Sequence, residues 1–272
     1  MGEIFSIRNF NLYVGRYSRR PRRRTPEAET GWYLDSAVHE KLPIQALRNR
    51  EIGDKWPPAW RAGRNARIAV AATLDSLKAW QAFRPHSAKT LLPRLSRAIP
   101  RVLASFQRQA VAADVTCIQD VLKIDPHTRT RILLAMADAV GRLSILKGDQ
   151  PMLGSKIMHF LLPEFFPVWD TAWIKRTALA NENVADASLR RWMSDAAINK
   201  LSDRPYAKPA IEYARYVALM MKDLAHTKRR DYHRIQEAYV RRSDVDEDVV
   251  WWHFYDLAPT LFEVCLLGKH NA

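Results

Sequence analysis

From Trp32 onward the apolar residues of this chain recur at spacings of three and four, as in RNARIAVAATLDSLKAWQAF (64–83) and RTRILLAMADAVGRLSIL (129–146). At 3.6 residues per turn this spacing gathers them on one face, so it predicts amphipathic helices that each bury a stripe. Asp125-Pro126 marks one helix start. The aspartate supplies an N-cap acceptor, and the proline takes a first-turn position whose N–H no helix uses. Gly148 and Pro151 close that segment, and further helices are expected near 186–200, 208–226, 231–241 and 256–267. Strands do not alternate with these segments, and neither a G-x-x-x-x-G-K-S/T loop nor a G-x-G-x-x-G turn occurs, which excludes a parallel nucleotide-binding sheet. The expected fold class is all-α, with two packed helical lobes forming a single domain over 31–272. Only IFSIRNFNLYV (4–14) carries enough β-branched and aromatic side chains to suggest a short strand.

Charge directs the search for a partner. The sequence holds 43 Lys and Arg against 29 Asp and Glu, a net charge of +14, and so much positive potential points first to nucleic acid. Residues 1–30 read as a basic arm, because seven arginines and one acidic residue fall within the first 24 positions. Anionic membranes would attract the same charge, but no run of about 18 apolar residues could span a bilayer. Cys117 and Cys265 cannot build a disulfide framework, and the opening residues lack a secretory signal, so the expected compartment is the cytoplasm.

Several chemistries fall away on spacing. The eight histidines include no H-E-x-x-H pair, and two distant cysteines cannot make a zinc knuckle, so no metal or other cofactor is expected. Asp244, Asp246 and Asp248 begin like a calcium loop, but Val249 stands at the glycine position and Tyr255 at the final glutamate position. No Asp or Glu stands two residues before a lysine, which removes the D/E-x-K signature of restriction-type nucleases.

The stretch PMLGSKIMHFLLPEFFPVWDTAWIKR (151–176) brackets apolar sequence between Lys156 and Asp170. Pro151 to Lys156 resembles the L-P-G-V-G-x-K hairpin of the helix-hairpin-helix DNA glycosylases, and Phe166 to Thr171 resembles their P-V-D-T segment, in the same order. Met152 stands at the first hairpin glycine and Trp169 separates Val168 from Asp170, so the resemblance is to a divergent member. It implies an enzyme that flips a modified or damaged base from duplex DNA and cleaves its N-glycosidic bond, in repair or against modified phage DNA, as a monomer without cofactor. Position by position, it implies Asp170 as the essential carboxylate and Lys156 as the lysine that attacks the sugar or binds phosphate. Gly154, Ser155, Lys175 and Arg176 would then contact DNA.

The chemistry asks for similar groups. Breaking an N-glycosidic bond builds positive charge on the sugar, which a fixed carboxylate stabilises, and a flipped base needs an aromatic pocket, for which Trp169 and Trp173 are candidates. Arg229 and Arg230, within KRRDYHR (228–234), add a basic face together with Arg190 and Arg191. Two other readings stand beside this one. Arg229 and His233 lie one turn apart and raise a helical metal-independent ribonuclease that uses an Arg and His pair, although the usual R-x4-H spacing of that class is absent. A DNA-binding module of glycosylase-like fold would need no chemistry at all.

Overall fold

Asp125 does what its place before Pro126 predicts. One carboxylate oxygen accepts the amides of His127 and Thr128, both at 3.0 Å, which satisfies two donors that no helical carbonyl can reach. The computed structural model describes residues 4–17, 74, 77, 85–148, 150–162, 164–169, 174, 175, 178–240 and 258–270, and among them it is all-α, without strands. The helices are α1 (Ile7–Tyr17), α2 (Pro85–Ala112), α3 (Ile118–Lys123), α4 (Pro126–Ser144), α5 (Met152–Leu161), α6 (Glu182–Trp192), α7 (Asp195–Ser202), α8 (Ala207–His226), α9 (Arg229–Val240) and α10 (Ala258–His270).

Helix α4 organises the rest, packing against α2, α5 and α8. It buries Ile132, Leu133, Met136, Ala137, Val140 and Leu143, the stripe that the three-and-four spacing requires. Gly141 lets α8 approach, since a Cβ there would stand 2.7 Å from the Tyr206 ring and 2.9 Å from Ala210 Cβ. Buried apolar residues from Ile4 to Leu267 form one connected core. The expected helix over 186–200 is divided at Met193 and Ser194. The Ser194 hydroxyl accepts the Ala197 amide at 3.3 Å and starts α7 afresh.

The short strand expected over 4–14 is corrected: residues 7–17 form helix α1. Ser6 caps it, its hydroxyl accepting the Asn9 amide at 3.2 Å and its carbonyl the Phe10 amide at 3.0 Å. The Asp223 carboxylate accepts the Ile4 amide at 2.9 Å and the Phe5 amide at 2.6 Å. Ile4, Phe5, Phe10 and Tyr13 are buried, a spacing that fits a helix entering a core and not the alternation of a strand. Helix α10 lies so close that a Cβ on Gly268 would stand 1.7 Å from Asn9 O. Part of the expected basic arm is therefore anchored in the core through Ile4, Phe5, Phe10 and Tyr13, and 18–30 lie outside the described residues.

Candidate nucleic-acid interface

The hairpin expected at 151–156 is a helix start. Pro151 precedes α5, and Met152 to Lys156 already lie within it. The Gly154 amide donates to the Ser144 hydroxyl at 3.1 Å, and a Cβ on Gly154 would stand 2.2 Å from Val140 O. This glycine exists so that α5 can touch α4 backbone to backbone. Ser155 is fully buried. Its hydroxyl donates to Met152 O at 3.1 Å and accepts the Trp169 amide at 2.9 Å. The assignment of Gly154 and Ser155 to DNA contact is thus corrected, since both spend their polar atoms inside the protein. Lys156, next along α5, is half-buried.

Trp169 is also corrected from base pocket to core. It is fully buried, edge-on to Tyr216 with ring centroids 5.7 Å apart. In the same core Phe165 and Phe166 both pack against Phe106. His159, on the adjacent face of α5, donates its Nδ1–H to Phe166 O at 2.6 Å, which fixes the tautomer because a carbonyl only accepts. Burial pushes its pKa down from 6.5 to about 4, with the hydrogen bond to Phe166 opposing. The segment before Asp170 is therefore packed into the core, with Trp169 tied through its amide to Ser155, the neighbour of Lys156. Asp170, Trp173 and Arg176 lie outside the described residues, as do Asp244, Asp246 and Asp248. Lys175 forms an ion pair with Glu212 at 3.0 Å, which engages the cation expected to meet phosphate.

Basic residues converge elsewhere, around Trp192 at the end of α6. The Arg129 guanidinium lies 5.0 Å from its ring centroid and that of Arg191 5.4 Å. Both are at cation–π distance. Arg129 is locked in place. It donates to the carbonyls of Val121 (3.0 Å), Leu122 (2.9 Å) and Ile124 (2.6 Å), the groups left open where α3 ends. Trp192 lines two cavities. The smaller, about 380 Å³, lies between the start of α4 and the α6–α7 turn, with His127, Arg129, Arg190 and Arg191 in its wall. The larger, about 600 Å³, lies among α3, the end of α8 and α9, with Lys123, Arg229 and His233 in its wall.

Carboxylates near this surface are already engaged. Asp120 accepts from Thr116 and lies 3.3 Å from Lys123; burial would raise its pKa, but the hydrogen bonds from Thr116 and Lys123 outweigh that and lower it. Asp125 caps α4, and the Thr128 amide leads the groups that hold its pKa low. Asp195 lies 3.5 Å from Arg190. On α9, Arg229 Nε donates to His233 Nε2 at 3.2 Å, and Arg230 lies 3.8 Å from Asp231. The two basic segments noted in sequence, 190–191 and 228–234, thus border cavities that share Trp192. Sequence reading missed Lys123, His127, Arg129 and Trp192. The available signal was Arg129 one turn into a helix whose start was already legible at Asp125.

Among the described residues no group of three or more His, Cys, Asp or Glu side chains could hold a metal. Nor is any helix among them long and apolar enough to cross a membrane. Compared with protein-family models, curated proteins and solved structures, the chain matches none.

Proposed function

We propose that this all-α chain binds DNA through the basic surface around Trp192, with Arg190, Arg191, Arg229 and Arg230 meeting phosphates. The observation that carries the reading is the convergence of Arg129, Arg190 and Arg191 with His127 on one cavity. Arginine suits this task because its planar fork keeps spare donors after one contact is made. In an anisotropy titration of a labelled duplex with the full chain, Arg190→Glu with Arg191→Glu should weaken binding by at least about tenfold while helix content holds. Unchanged affinity would remove the reading.

A second, finer reading is base excision at Asp170. It is favoured by the Ser155 to Trp169 hydrogen bond of 2.9 Å, which ties together the chain neighbours of Lys156 and Asp170. In this reading Asp170 stabilises the positive sugar, and Lys156 holds phosphate near it. The test incubates duplexes carrying different modified bases with the protein and reveals abasic sites with alkali. Asp170→Asn should then lower excision by about 100-fold or more with DNA affinity retained. Absence of abasic product across a broad panel, from protein that binds the same duplexes, leaves the binding module alone.

A further inference from the structure

We propose that the larger cavity holds one unstacked nucleotide of a bound DNA strand, its base against Trp192 and Tyr232 and its phosphate on Arg229. This rests on reading the surrounding surface as DNA-binding, and adds where a base leaves the stack. At about 600 Å³ the space falls in the range of roughly 300–1,000 Å³ typical of small-molecule sites. Its wall combines two chemistries that a nucleotide needs together. Leu122, Leu224, Trp192 and Tyr232 supply apolar and aromatic carbon, while Arg229 and His233 supply polar groups from one face of α9.

The α9 pair is arranged for an anion. Arg229 Nε donates to His233 Nε2 at 3.2 Å, so that imidazole nitrogen carries no proton. The interaction uses one of five guanidinium N–H groups and fixes the plane of the rest. Lys123, by contrast, is tied to Asp120 at 3.3 Å, which leaves Arg229 as the phosphate partner. Trp192 is 8% exposed, and its indole N–H has no hydrogen-bond partner among the described residues. A buried donor left so is costly. A sugar phosphate lacks the group for the aromatic wall, and a nucleoside lacks the group for Arg229.

The experiment is calorimetric titration of the full chain with dAMP, dCMP, deoxyribose 5-phosphate and deoxyadenosine, beside a duplex titration of the same protein at low salt. The mononucleotides should saturate one site, with the sugar phosphate and the nucleoside weaker by at least about tenfold. Arg229→Gln, at an exposed position, should weaken dAMP by about tenfold or more. Ala225→Trp, which fills the cavity from an exposed position of its wall, should do the same. Should the latter variant lose its far-ultraviolet helix signal, Arg229→Gln decides alone. Equal affinity for dAMP and deoxyribose 5-phosphate, or dAMP affinity unchanged by Arg229→Gln, would overturn the proposal. Duplex binding without any mononucleotide binding removes the cavity site and leaves the DNA-binding reading intact; loss of both removes both.

Discussion

Gly154 shows how one residue type carries different meanings at the same place in a sequence. A glycine that opens a phosphate-gripping hairpin and a glycine at a helix crossing look identical until the neighbouring helix is known. Here the Cβ position lies 2.2 Å from Val140 O, so Gly154→Ala should destabilise the fold by about 1–3 kcal/mol through overpacking. Thermal melting should show this, while DNA affinity of the folded protein stays at the parent value; the reverse pattern would restore the hairpin role. His159 makes a second prediction at this scale. Its folded pKa of about 4 lies below the ordinary 6.5, so between those values the unfolded chain binds the extra proton. The stability it confers is complete above about pH 6.5 and declines as pH falls toward 4, by about 3 kcal/mol in all. His159→Asn, whose amide keeps a donor near Phe166 O, should flatten denaturant midpoints across that window. An equally steep decline in the variant would assign it to other groups.

At the scale of elements, α4, α8 and α9 were legible because each carries a stripe that only a helix can bury, and α4 also carries its own cap. Helix α1 was not, since Ile4, Phe5, Phe10 and Tyr13 fit aromatic-rich strand composition as well as helix spacing. Its choice is made by partners remote in sequence, Asp223 at its amides and Gly268 at its flank. The basic surface was half legible: Arg190, Arg191 and Arg229 are visible in sequence, but only tertiary packing brings them around Trp192. Deleting residues 1–17 should cost several kcal/mol, because burying each large apolar side chain contributes about 1.5–3 kcal/mol, and the melting temperature should drop sharply. Replacing Arg19, Arg20, Arg22, Arg23 and Arg24 with glutamine should leave melting within about 0.5 kcal/mol of the parent. Equal loss in both proteins would contradict the docking of α1.

At the scale of the whole molecule, a net charge of +14 attracts any polyanion, and charge alone does not distinguish a diffuse field from a built surface. The difference lies in how affinity responds when particular cations are removed. A diffuse field weakens a little with each charge wherever it sits, whereas a built surface gives up particular phosphates, each of which releases counterions when neutralised. The proposed base excision concerns what happens after binding, and its Asp170 test has meaning only if the binding surface is real. The most direct measurement is therefore the slope of log affinity against log salt for a duplex, compared between the parent and the variant Arg190→Gln, Arg191→Gln, Arg229→Gln. If the parent neutralises about six phosphates its slope should be near −5, and the variant should be shallower by about 0.9 for each phosphate that it leaves unneutralised, or roughly −2 to −3. A variant that binds with the parent's slope would contradict the assignment of DNA to the surface around Trp192.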